Sequence, residues 1–95
     1  MSAREDREAV AAAEDLHAIS WCLRAVACGY GLLPAERAAC LTILAGGIPG
    51  TDAADLQTAE KLLQAPRRLG SRQRDQASDL SVRLAEWVET LRLRT

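Results

Sequence analysis

The chain has 95 residues and a formal net charge of −1, so we expect one domain without an overall field that attracts nucleic acid or membranes. Alanine, arginine and acidic residues are abundant, whereas phenylalanine is absent and only one tyrosine occurs. This composition excludes a β-rich fold and predicts an all-α protein, a single helical domain over residues 1–95.

The first predicted helix runs from Ser2 to about Cys28. Ser2 and Glu5 have the spacing of a capping box, and Gly29 supplies the left-handed conformation that closes a helix. If the helix ends there, Tyr30 folds back and does not continue the apolar stripe of the helix. Apolar residues recur along this helix at three- and four-residue spacing: Ala9, Ala12, Leu16, Ile19, Leu23 and Val26. That spacing places them on one stripe, which we expect to face the core.

Two shorter helices follow. The second begins at Pro34, because a first helical position needs no N–H, and ends at the glycines and proline of residues 46–50. The third is capped by Thr51 or Asp52 and stops before Pro66. One face of the second helix carries Ala38, Leu41, Leu44 and Ala45, and Ile48 lies just beyond its end. The third buries Leu56, Ala59, Leu62 and Leu63.

Residues 66–71 form a predicted linker, and Ser71 caps a last helix over residues 72–93. Its stripe consists of Ala77, Leu80, Leu84, Trp87 and Leu91. The simplest architecture is a small four-helix bundle. Its long N- and C-terminal helices pack antiparallel, and the shorter central pair lies against them.

Metal binding is disfavoured by the number of candidate ligands. Glu14 and His17 have the Glu-x-x-His spacing of di-iron bundles, but such sites need two motifs and further glutamates. The cysteines Cys22, Cys28 and Cys40 form no C-x-x-C pair, although Cys40 can approach one of the other two. We therefore expect no metal and no cofactor, a partly exposed histidine, and reduced cysteines that fill the core.

Catalysis is disfavoured as well. A nucleophilic triad needs an acid–base partner, and the only histidine lies inside a long helix. The glycine-rich loop over residues 45–51 lacks the lysine of a P-loop, and Asp52 and Asp55 would repel an anion there. The same two carboxylates oppose a helix-turn-helix DNA reader. The sequence predicts no enzyme.

One basic segment stands out, formed by Arg67, Arg68, Arg72 and Arg74. The last two lie in the first turn of the fourth helix, where the macrodipole disfavours positive charge by about 0.3–1 kcal/mol each. Three explanations stay open: solvent, an anionic partner, or intramolecular acids. The candidate acids are Glu5, Asp6, Glu8, Asp52 and Asp55.

Trp21 lies off the first stripe. It is either a binding anchor or, as we slightly favour, a side chain packed on the two central helices.

We expect a non-enzymatic helical interaction module, an adaptor, regulator or inhibitor that docks on a larger protein through Arg67, Arg68, Arg72, Arg74 and Trp21. Small chains without catalytic residues are often phage or mobile-element accessory proteins, such as inhibitors of bacterial defence systems. The alternative is a nucleic-acid-binding regulator that uses the segment Arg67–Arg74. A homodimer is compatible with either, through leftover apolar residues: Val10, Cys22, Val82, Val88 and Leu93.

The start of the chain is charged, with Arg4, Glu5, Asp6 and Arg7, which does not fit a signal peptide. The longest uncharged stretch, residues 38–51, is too short to span a bilayer. We therefore expect a cytoplasmic protein with no membrane partner.

Overall fold

A computed structural model describes residues 3–93, with side chains over residues 7–93. It contains the α-helices α1 (Ala3–Ala27), α2 (Pro34–Gly46), α3 (Ala53–Gln64) and α4 (Ser71–Leu93), and a short 3₁₀ helix, Pro66–Arg68. No strand occurs in this range. The all-α prediction is confirmed, and the helix bounds agree with the sequence-based ones to within about a turn. None of the described helices has both the length and the apolar character needed to cross a bilayer.

The two long helices α1 and α4 pack along each other and run in opposite directions. Arg74, near the start of α4, lies beside Gly29, which follows the end of α1. Towards the other end of α4, Trp87 lies beside Gly50 in the loop between α2 and α3. The predicted four-helix bundle with an antiparallel long pair is therefore confirmed. It measures 44 × 22 × 20 Å.

A single apolar core joins the helices. The α1 stripe contributes Leu16, Ile19 and Leu23, which are fully buried, and α4 contributes Leu80 and Leu84. The other stripe residues are buried as predicted, except that Ala9 and Trp87 are only half-buried. All four predicted core residues of α3 are buried as well.

Two residues that were predicted to be left over for a dimer face lie in the core instead. Val88 is fully buried beside the half-buried Trp87. A stripe with seven-residue spacing drifts by about 20° per heptad around a straight helix. Near the end of α4, Val88 therefore faces the core in place of Trp87. Cys22, on the flank of the α1 stripe, is covered because α2 packs over it.

The predicted face of α2 is partly wrong. Ala38 and Ala45 are exposed and Leu41 is half-buried, whereas Cys40 and Leu44 are buried. Since apolar residues surround most of this short helix, their periodicity does not select one face. The packing of Cys40 against α1 selects it.

The predicted end of α1 is confirmed at Gly29. This glycine has φ +83°, and its N–H donates to the Val26 carbonyl at 3.0 Å. The Tyr30 N–H donates to the Ala25 carbonyl at 2.9 Å, which completes a Schellman motif. The predicted capping box at the start of α1 depends on Ser2, which lies outside the described residues.

The starts of the other helices show which caps operate. Asp52, one of the two predicted caps of α3, accepts a hydrogen bond from the Ala54 N–H at 2.9 Å. Ser71 is the first residue of α4 rather than its cap, because Gly70 occupies the flanking position. The Gly70 N–H donates to the Gln73 side chain at 3.0 Å, and its carbonyl accepts from the Arg74 N–H at 3.0 Å.

Candidate partner-binding surface

The antiparallel helices bring arginines from four segments to one end of the bundle. The end of α1, the start of α2, the 3₁₀ turn after α3 and the start of α4 all meet there. The arginines of this surface, which we call the arginine end, are Arg24, Arg37, Arg67, Arg68, Arg72 and Arg74. The sequence identified the last four because they are neighbours in the chain. It missed Arg24 and Arg37, which only tertiary packing brings close.

Arg37 holds two elements of this end together. Its Nη1 donates to the carbonyl of Gln64, the last residue of α3, at 2.7 Å. That carbonyl is one of those left without an intrahelical partner, so the guanidinium stabilises the helix end. Arg37 also lines a shallow pocket of about 490 Å³ together with Arg67 and Arg68.

Two aromatic side chains lie exposed beside the arginines. Trp21 is 61% exposed and Tyr30 is 71% exposed. Together with Arg24, Ala25 and Cys28 they line an apolar pocket of about 330 Å³. The interpretation of Trp21 as a side chain packed on the two central helices is therefore wrong.

Arg74 connects Trp21 to the basic segment. Trp21 and Arg74 line opposite sides of a groove of about 620 Å³ between α1 and α4, which we call the α1–α4 groove. On its other side, Arg74 shares a second pocket of about 470 Å³ with Arg67 and Tyr30. Arg72 is exposed nearby at the start of α4. The structure thus places the five residues predicted to bind a partner on one side and one end of the molecule.

Three of the five acids proposed as internal partners lie elsewhere. Asp52 caps the start of α3, and Asp55 pairs with Arg83 at 3.2 Å. Because α3 has 12 residues, this end lies about 18 Å from the arginine end. Glu8, near the start of α1, lies about 30 Å from it along the helix. The side chains of the remaining candidates, Glu5 and Asp6, lie outside the described residues.

Two of the three cysteines lie together in the core. Cys22 and Cys40 are buried with their Sγ atoms 3.1 Å apart. Burial raises the pKa of the Cys22 thiol to about 12, and Cys40 and the Glu36 carboxylate act in the same direction. This thiol therefore stays protonated and is a poor nucleophile.

The other candidate ligands are dispersed. Cys28 is exposed, contrary to the expectation that all three cysteines fill the core, because it lies on the side of α1 that no helix covers. His17 is exposed on that same side. Among the side chains described, those of residues 7–93, no three of histidine, cysteine or acids converge as metal ligands.

The surface is thus defined by its geometry and charge: arginines at one end of the bundle, with two exposed aromatic rings at their edge. Chemically, it is suited to binding carboxylates or phosphates beside an apolar group. Comparisons with protein-family models, with curated proteins and with solved structures give no match to this chain.

Proposed function

We propose that this protein is a non-enzymatic helical docking module that binds a larger protein through the arginine end. The observation that carries the proposal is the position of Trp21 and Tyr30, which are exposed and share grooves with Arg74 and Arg67. Tryptophan, tyrosine and arginine are the residues that contribute most to binding at protein interfaces. The complementary partner surface is acidic and offers an apolar group to the pocket beside Trp21.

The charge at the start of α4 supports an anionic partner. Arg72 and Arg74 lie in its first turn, where the helix dipole disfavours them, and Asp52 and Asp55, two of the acids that could compensate them, lie at the other end of α3. Carboxylates of a partner would form charge-assisted, bidentate hydrogen bonds with these guanidinium groups.

In this proposal the module acts in the cytoplasm as an adaptor, regulator or inhibitor. An accessory role in a phage or mobile element, such as inhibition of a defence system, belongs to the same proposal.

The second candidate function is a nucleic-acid-binding regulator. It is favoured by the same arginines, which would contact phosphates, and by aromatic rings on which single-stranded bases could stack. We place it second because a net charge of −1 gives no overall attraction to a polyanion. In addition, the acidic Asp75 lines the α1–α4 groove beside Arg74.

Affinity capture from native-host lysate treated with nuclease distinguishes the two functions. The wild type is compared with a triple variant, Arg67→Gln, Arg68→Gln and Arg74→Gln, which removes the pocket-lining arginines of the basic segment. The control carries Arg7→Gln, Arg83→Gln and Arg92→Gln, which remove the same charge elsewhere. We expect one protein that survives nuclease, binds wild type and control, and is lost with the triple variant.

Two results would contradict the docking function. Capture that disappears after nuclease treatment would favour the nucleic-acid function, whose affinity also falls steeply with salt. Equal capture by the wild type and the triple variant would show that the arginine end is not the contact surface. A captured protein is then purified, and its affinity for the three forms is measured by calorimetry.

A further inference from the structure

Helix α1 carries a second stripe on the side that faces away from the core. Its residues are spaced by four and three positions, like those of the buried stripe, and all of them are exposed. This outer stripe consists of Val10, Glu14, His17, Trp21, Arg24 and Cys28. Its apolar members include the 61% exposed Trp21, and the helices α2, α3 and α4 leave it uncovered.

We propose that the outer stripe is an interface between two copies of this chain, whose α1 helices pack antiparallel about a two-fold axis that passes between His17 and Trp21, at the level of residue 19. The charges of the stripe carry the inference. Glu14 and Arg24 lie five positions before and after Ile19, so each carboxylate meets the guanidinium of the second copy. Both ion pairs form at once, as an isologous interface requires.

The uncharged members of the stripe match in the same register. Val10 and Cys28 lie nine positions from Ile19 on either side, so a small apolar side chain meets another at each end. His17 and Trp21 lie two positions from it, so the two rings stack. A parallel pair would instead place glutamate against glutamate and arginine against arginine, which repel.

The α1–α4 groove offers room for the large ring of Trp21. Small side chains line it on the α4 side, among them Ser78, Ser81 and Ala85, next to the 54% exposed Val82. His17 lines the same groove. A tryptophan of the second copy that packs on His17 therefore enters the groove and covers Val82, which adds apolar contact beyond α1.

This inference goes beyond the docking function and competes with it for one residue, since Trp21 is covered when two copies pair. In the dimer, the part of the docking surface left for a larger partner is the basic segment with Tyr30, which share a pocket without Trp21. The docking function and the dimer can be disproved independently. Variants of Glu14 and Arg24 test self-association, whereas Arg67 and Arg68, which test docking, lie outside the outer stripe.

A charge exchange tests the antiparallel register. Glu14→Arg alone and Arg24→Glu alone each place like charges in both symmetric pairs, whereas the double variant restores opposite charges. Sedimentation equilibrium measures the dimer dissociation constant of each form, and circular dichroism verifies the fold. We expect at least a tenfold weaker dimer for each single variant and a double variant within about threefold of wild type. A tenfold change in the dissociation constant corresponds to about 1.4 kcal/mol, so each single variant should lose at least that much free energy of dimerisation.

Lys61→Glu is the matched control, since it reverses one exposed charge on α3 and should leave the dimer unchanged. The proposal would be overturned if the wild type sediments as a monomer at all concentrations up to about 1 mM, because a dimer with a dissociation constant above that value is too weak to be specific. Single variants that dimerise as tightly as wild type would overturn it as well.

Disulfide trapping tests the same register independently. In Val10→Cys, the new thiol faces Cys28 of the second copy, and diamide takes two electrons and two protons as the sulfur–sulfur bond forms. We expect a covalent dimer for this variant and none for Val10→Cys with Cys28→Ser. The wild type should also give none, because two Cys28 residues lie about 27 Å apart in the antiparallel pair. A covalent wild-type dimer would indicate a parallel arrangement and overturn the proposal.

Discussion

The Sγ atoms of Cys22 and Cys40 lie 3.1 Å apart in the core, at the contact between α1 and α2. This contact determines which side of α2 faces the bundle, since Cys40 and Leu44 point inward while Ala38 and Ala45 point outward. The three cysteines thus fall into two classes: Cys22 and Cys40 are buried, whereas Cys28 is exposed on the far side of α1.

We expect the three thiols to differ sharply in reactivity. Only the thiolate reacts with a disulfide reagent, and Cys22 combines burial with a pKa raised to about 12. A chromogenic disulfide reagent at pH 8, used on protein dilute enough to be monomeric, should therefore label Cys28 rapidly, and label Cys22 and Cys40 only in urea. Cys28→Ser should lose the rapid phase. Two or three rapidly reacting thiols in the native wild type would show that the α1–α2 contact is open.

Stability should fall with pH above about 9 because of Cys22. Its pKa in the folded state, about 12, lies above the ordinary value of 9.0 that applies in the unfolded chain. Between these values the unfolded state loses a proton that the folded state retains, so the free energy of unfolding decreases as pH rises. For one proton the slope approaches about 1.4 kcal/mol per pH unit. Urea titrations from pH 8 to 10 measure it, and Cys22→Ala should flatten it. An equal slope in the variant would contradict this assignment.

Replacing the arginines at the start of α4 should stabilise the isolated protein. Arg72→Glu and Arg74→Glu exchange an unfavourable charge for a favourable one at the positive end of the helix dipole. We expect each to raise the free energy of unfolding by about 0.5–1 kcal/mol at low salt. Arg92→Glu, in the last turn, should have the opposite effect, since it also loses the ion pair with Glu89 at 3.3 Å. If acidic substitutions at the start of α4 destabilise it, an internal acid compensates the arginines.

The end of α1 should depend on glycine at one position only. At φ +83° a side chain on Gly29 is strained, so Gly29→Ala should cost about 1–2 kcal/mol. Gly31 has no positive φ and open space around its Cα, so Gly31→Ala should be neutral or slightly stabilising. Thermal unfolding of both variants measures the difference. Equal melting temperatures would show that the Schellman motif does not hold the end of α1.

The sequence predicts the long elements well and the surface only in part. Gly29, Pro34 and Asp52 mark helix ends by local backbone chemistry, which needs no knowledge of the fold. The inward side of α2 and the position of Arg37 depend on contacts between segments far apart in the chain, which periodicity does not encode. The exposure of Trp21 also depends on such contacts, because its position off the stripe fits a packed side chain, which we favoured, as well as an exposed one.

The buried stripes of α1 and α4 should carry most of the stability. Leu23 is fully buried and Leu84 nearly so, and both belong to the central cluster. Truncating either to alanine removes apolar contact and leaves a cavity, which costs about 2–5 kcal/mol of the free energy of unfolding. Val82→Ala, on the 54% exposed side of α4, should cost less than about 0.5 kcal/mol. Chemical denaturation of the three variants measures these losses. A change below about 1 kcal/mol for Leu23→Ala or Leu84→Ala would mean that the two stripes do not face each other in solution.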